Sequence, residues 1–147
     1  MSPRRARAQL LLPRYDLTCY VDGSVQGNPG PGAVGVVIQD STGKVLEAWG
    51  EAIGHVTNNQ AEYRALLAAL ERARALRAKA VTVRSDSQLL VRQFLGEYRV
   101  KDEKLKLLLE KAQRLAHAFA EFQIEHVPRD QNRAADRLAN RAREGRQ

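Results

Sequence analysis

The chain has 147 residues, 44% hydrophobic, 28% charged and 5% aromatic, proportions that suit one compact domain and argue against a disordered chain, a fibre or a membrane span. Twenty-four Lys and Arg against seventeen Asp and Glu give a formal net charge of +7, which favours a polyanionic partner such as nucleic acid. The single cysteine, Cys19, excludes an internal disulfide and a zinc knuckle and points to a reducing compartment, with the cytoplasm the simplest expectation.

Residues 1–14 carry Arg4, Arg5, Arg7 and Arg14 and no acid, and Pro13 cuts the apolar run of Leu10 to Leu12. That run is too short for a secretory signal, so this stretch is expected to be a flexible basic arm. Residues 15–143 are expected to form one domain and residues 144–147 a tail. Period-2 alternation predicts a strand over residues 17–22, stopping at Gly23. Apolar runs over 33–38 and 45–51, joined by Asp40-Ser41-Thr42-Gly43, predict an antiparallel hairpin. Leucines and alanines at helical spacing predict a helix over 59–76, with Asn58 or Asn59 as its N-cap. A strand over 80–85, helices over 87–95 and 102–119, a strand over 122–127 and a helix over 133–143 follow. The order βββαβααβα predicts an α/β fold: a mixed sheet with antiparallel opening strands and right-handed parallel crossovers, flanked by helices. Ligands of such sheets gather beyond the carboxyl ends of the strands.

Four acids stand at that edge. Asp22 and Asp86 close the first and fourth strands. Glu62 is expected in the first turn of its helix, four residues before Leu66, on the stripe that should face the sheet. Asp136 opens the last helix, four residues after Asn132. Taken singly, each has an ordinary reading, since helix dipoles favour acids in a first turn and turns favour them at strand ends. Together they would repel one another unless cations joined them. Oxygen-only ligands suit a hard ion such as Mg²⁺, and two such ions form a clamp for in-line attack at phosphorus.

Asp22-Gly23-Ser24, followed by Gly27-Asn28-Pro29-Gly30-Pro31-Gly32, resembles the first-strand motif of type 1 ribonucleases H (ribonuclease HI). Thr57-Asn58-Asn59-Gln60-Ala61-Glu62, Ser85-Asp86-Ser87-Gln88 and the stretch from Asn132 to Asn140 around Asp136 resemble the family's remaining motifs, in the family's order. The resemblance implies the ribonuclease H-like five-stranded sheet and metal-dependent hydrolysis of the RNA strand of RNA/DNA hybrids, leaving 5′-phosphate and 3′-hydroxyl ends. Two Mg²⁺ ions would serve, with Mn²⁺ as a substitute. Asp22 would bridge them, Glu62 and Asp86 would complete the ion sites and orient the attacking water, and Asp136 would hold the second metal. Among substrate contacts, the loop with Asn28 would meet the sugar edge of the RNA, Thr57 and Asn58 a phosphate of the DNA strand, and Asn59 and Gln88 the minor groove, with Gly23, Ser24 and Ser87 also binding substrate.

The chain departs from many relatives in two places. The loop before the last aspartate is Pro128-Arg129-Asp130-Gln131-Asn132, without a histidine, and Arg129 is expected to substitute in part by contacting phosphate. His55, His117 and His126 do not match that position. The basic, Trp-containing insertion of some relatives is replaced by Glu97-Tyr98-Arg99-Val100-Lys101. A non-cleaving nucleic-acid-binding domain of the same fold and a related polynucleotidyl-transfer nuclease are the competing readings; a monomer is the default state. Residues 15–128 carry fourteen bases and fourteen acids, so the excess charge lies at the two ends.

Overall fold

The computed structural model describes residues 16–145. The arm expected over residues 1–14 and the last two residues of the expected tail lie outside them. Leu17, Cys19 and Val21 alternate with Thr18, Tyr20 and Asp22 along β1 (Asp16–Val25), and the first three are buried in the core. β2 (Gly30–Gln39) and β3 (Val45–Val56) form the hairpin. Asp40 makes its turn, accepting at Oδ1 from the backbone N–H groups of Thr42 (2.9 Å) and Lys44 (3.0 Å). α1 (Asn58–Ala75), β4 (Ala80–Ser85), α2 (Gln88–Phe94), α3 (Glu103–His117) and β5 (Glu121–His126) follow, and a 3₁₀ turn at Arg129–Gln131 leads into α4 (Arg133–Arg143). The sheet order is β3-β2-β1-β4-β5; β1 and β3 run antiparallel to β2, and β1, β4 and β5 are parallel. This is the mixed five-stranded α/β architecture expected from the pattern. No helix among the described residues is long and apolar enough to cross a membrane.

Three strands run longer than their apolar patterns. β1 passes through Gly23 to Val25, and β2 and β3 extend to Gly30 and Val56. Gly23, which reads as a breaker, is instead a place where a helix meets the sheet. A methyl group at Gly23 would lie 2.6 Å from the carbonyl carbon of Ala61 and the nitrogen of Glu62, so only glycine admits α1 this closely. On the opposite face, methyls at Gly35 and Gly50 would run into the carbonyl oxygens of Ala135 and Leu138. α4 therefore seats a face of Ala135, Ala139 and Ala142 on bare backbone. Its small buried residues are a seat for close approach, where larger side chains would lift it. Register shifts between β2 and β3 leave Leu46 and Ile53 out of the pairing, and both pack against the core.

The start of α1 differs from expectation in one residue. Thr57 is the N-cap: its hydroxyl accepts from Gln60 N–H (3.1 Å) while Gln60 Oε1 accepts from Thr57 N–H (2.9 Å), a reciprocal capping box. Asn58 and Asn59 are thereby released from capping, and Glu62 stands past the first turn, buried on the face that carries Leu66 and Leu70.

The glycine seat gives a first test. Gly35→Ala is expected to lower the unfolding free energy by about 1–3 kcal/mol, the usual cost of overpacking, in urea titrations. A variant as stable as the parent would show that α4 does not depend on this contact.

Candidate active site

β4 ends at Ser85, which pairs with Val21, whereas β1 continues with β2 alone beside it. Asp22 and Asp86, each one residue beyond that last pair, stand side by side where β4 stops. Past this point β1 has lost its β4 neighbour, and side chains take that strand's place. Val21 O accepts from Asn132 Nδ2 (2.8 Å), and Gly23 N–H donates to Glu62 Oε1, so backbone groups without a strand partner are still satisfied. One carboxylate oxygen from each of Asp22, Glu62 and Asp86 lies within 4.8 Å of the other two. Asp22 is 5% exposed and Glu62 6%. Asp136 approaches from the other face of the sheet. Residues opposite one another across strands share a face, so Gly23 and Val34 look toward α1 and Asp22 and Gly35 toward α4. Asp136, in the first turn of α4, is close enough to Asp22 to help raise its pKa.

A family model described as reverse transcriptase-like matches residues 20–142, which contain all four acids. Ribonuclease HI of Halobacterium salinarum is 44% identical over 123 residues, 84% of this chain and 62% of that protein. The crystal structure of RNase H1 from the same archaeon superposes with a TM-score of 0.86 at 42% identity, covering 88% of this chain and 98% of that one. The chain belongs to the ribonuclease HI family. Bifunctional protein Rv2228c of Mycobacterium tuberculosis is 45% identical over 122 residues, 82% of this chain but 34% of that longer protein. LC11-RNase H1, solved in complex with an RNA/DNA hybrid, gives a TM-score of 0.82 at 40% identity over 88% of this chain and 97% of that one. The chain thus spans 62% and 34% of the lengths of these two curated relatives.

Around the ribonuclease H acids, the structure distributes the expected substrate residues in three groups. Asn28 Oδ1 accepts from Asn58 N–H (2.9 Å), tying the glycine-rich loop to the start of α1 beside Thr57 and Asn59. Ser87 caps α2 by accepting from Leu90 N–H (3.2 Å), and Gln88 is exposed as the first residue of that helix. Ser24 is engaged within the protein, donating to Asn140 Oδ1 (2.6 Å) and accepting from Arg143 Nε (2.9 Å). Arg129 is exposed in the 3₁₀ turn, close enough for its charge to act on Glu62. His55, His117 and His126 are exposed on β3, α3 and β5.

Two side chains matter more than their motif positions suggested. Asn132, 1% exposed, bridges Val21 O and Asp86 Oδ2 (3.2 Å), while its own Oδ1 is buried without a hydrogen-bond partner. Asn140 Nδ2 donates to Asp136 Oδ1 (3.3 Å). The signal for both was the spacing Asn132, Asp136, Asn140, which repeats every four residues and so lies along one side of α4.

Electrostatics follow from the crowding. Burial raises the Asp22 pKa well above the carboxylate range, and the Glu62 charge, the Asp136 hydrogen bond and the charges of Asp86 and Asp136 add to it. Burial likewise raises Glu62, and Asp86 adds to this, against the opposing effects of Gly23 N–H, the Asp22 hydrogen bond and Arg129. With Asp22 and Glu62 both pushed toward the neutral form, this edge of the metal-free protein favours binding a proton. An all-oxygen, acid-rich and buried set of this kind fits a hard divalent cation, which removes the need for that proton.

Because the folded pKa values of Asp22 and Glu62 lie above the unfolded ones, the folded protein binds more protons and loses stability as pH rises from the ordinary carboxylate range through the raised values. In chelator at pH 8, Asp22→Asn is expected to melt higher than the parent, by roughly 2–8 °C per kcal/mol of strain relieved, with the gap closing toward pH 4. Mg²⁺ should raise the melting temperature of the parent more than that of the variant. A variant that melts lower in chelator at pH 8 would contradict this account.

Proposed function

We propose that this chain is a ribonuclease H that cleaves the RNA strand of RNA/DNA hybrids with two Mg²⁺ ions, Mn²⁺ substituting, and leaves 5′-phosphate and 3′-hydroxyl ends. The convergence of Asp22, Glu62 and Asp86 oxygens within 4.8 Å, with Asp136 close to Asp22, carries this reading. When bound, paired divalent ions supply Lewis-acid stabilisation of the phosphorane-like charge and a more acidic attacking water. The protein supplies the rest. Asp22 would be the shared ligand, Glu62 and Asp86 would complete the ion sites and orient the water, and Asp136 would hold the second ion. Gly23 N–H fixes Glu62, and Asn132 fixes Asp86.

Substrate recognition rests on family resemblance and on the placement of the groups around the acids. The loop of Gly27 to Gly32 presents backbone with few side chains in the way, suited to reading the 2′-hydroxyl that separates RNA from DNA. With its carbonyl bound to Asn58 N–H, Asn28 turns its amide donors outward. Thr57 and Asn58, at the N-terminal end of the 18-residue α1, suit a phosphate of the DNA strand. Asn59, Ser87 and Gln88 line the minor-groove side. Arg129 takes a phosphate near Glu62, in the loop where many relatives carry a histidine. A cytoplasmic monomer fits best, with Cys19 buried and its thiol pushed up to about 12 by burial.

Labelled RNA/DNA hybrid, double-stranded RNA and double-stranded DNA, each with Mg²⁺, Mn²⁺ or chelator, test the reading. Cleavage of the hybrid RNA strand is expected with metal and not with chelator, and Asp22→Asn should reduce it to background. Hybrid cleavage that survives Asp22→Asn would refute the assignment of roles, and binding without cleavage by the parent would favour the non-cleaving module. Arg129→Ala is expected to slow turnover; unchanged turnover and metal dependence would remove Arg129 from the site.

A further inference from the structure

Asp136 is the one acid of the four that stands outside the tight trio, and it rides on a helix seated mainly by alanine on glycine. Such a seat fixes the distance of α4 from the sheet but offers little that would fix the orientation of one carboxylate. A chain of side-chain hydrogen bonds does so. Arg143 Nε donates to Ser24 Oγ (2.9 Å), Ser24 Oγ donates to Asn140 Oδ1 (2.6 Å), and Asn140 Nδ2 donates to Asp136 Oδ1 (3.3 Å). Arg143 Nη1 also reaches Gln26 Oε1 (3.4 Å), at the entrance to the glycine-rich loop.

The polarity of this chain is set at both ends. A guanidinium only donates, so Ser24 Oγ accepts from Arg143, and at the other end the Asp136 oxygen accepts, so Asn140 turns its NH₂ to Asp136 and its oxygen to the Ser24 hydroxyl, which donates to it. The alternative amide orientation would set the Asn140 carbonyl oxygen against the Asp136 oxygen. The geometry points to Asn140 as a positioning residue for Asp136: held by Ser24 and Arg143, it aims the Asp136 carboxylate as a metal ligand and links that ligand to the loop proposed to meet RNA. This rests on the reading of Asp136 as a ligand of the second ion.

Mg²⁺ titration of the free protein, followed by melting temperature, tests it alongside hybrid cleavage. Asn140→Ala is expected to raise the Mg²⁺ concentration for half-maximal stabilisation and for half-maximal cleavage by about tenfold or more, the usual effect of removing a residue that orients a metal ligand. Turnover should fall at fixed Mg²⁺ while KM for hybrid stays unchanged. Ser24→Ala should shift the metal titration in the same direction, and Ser24→Thr, which keeps the hydroxyl, should restore it. The double variant should lose no more than the larger single loss, as members of one chain do. A parental Mg²⁺ titration in Asn140→Ala, a loss confined to KM, or additive losses would overturn the proposal. Mg²⁺ stabilisation is read without substrate. A parent stabilised by Mg²⁺ that cuts no hybrid would therefore defeat the nuclease reading and leave this one standing.

Discussion

Two buried carboxylates, Asp22 and Glu62, are pressed together because Gly23 has no side chain to keep α1 away from β1. Burial favours a neutral form of each, and the charge of a neighbouring acid, Glu62 for Asp22 and Asp86 for Glu62, adds to it. Everything else at this edge serves to hold such a pair without letting it relax. The backbone of Gly23 binds one oxygen of Glu62, Asn132 anchors Asp86, and the early end of β4 opens the space they occupy. A fold optimised for stability alone would put apolar residues there. This one keeps a negative centre under tension that only a proton or a cation releases.

The sheet makes this possible by separating the sources of the ligands. Glu62 arrives from the helix on one face, Asp136 from the helix on the other, and Asp22 and Asp86 from the strands between. The four acids are spread over residues 22–136, so no short segment can form the site and no local fluctuation of one helix leaves it intact. Rigidity comes from close backbone packing: both helices touch the sheet at glycines. The positive charge that composition suggested for a nucleic-acid partner is absent from the trio itself. An anionic substrate can approach such acids only with cations between them.

The order and type of the elements were legible in the sequence, because periodicity reports which side of each strand and helix is buried. Leu17, Cys19 and Val21 gave the first strand, and Leu66 and Leu70 gave the face of α1 on which Glu62 also lies. The four acids were legible through their motifs. Strand ends were not. Gly23 and Gly50 have the composition of turns, and their service as contact points depends on helices far along the chain. The choice of Thr57 over Asn58 or Asn59 as cap was likewise hidden, since all three residues are good caps and the reciprocal Gln60 bond decides between them. The Ser24–Asn140 pairing spans 116 residues, and nothing local in either segment announces it. Its only trace was the four-residue repeat of Asn132, Asp136 and Asn140.

The two strands at the margins of the sheet differ in how they end it. β3 is twelve residues long, yet it is interrupted by the register shifts at Leu46 and Ile53 and carries Glu47, Glu51 and His55 along its length. β5 is only six residues and exposes Glu121, Glu125 and His126. Kinked or charged margins make poor templates for a further strand. Sheet extension from one copy to the next, the usual route by which open mixed sheets self-associate into insoluble ladders, is therefore disfavoured at both sides, and the narrowed edge that carries the acids is left clear of competing β-strands.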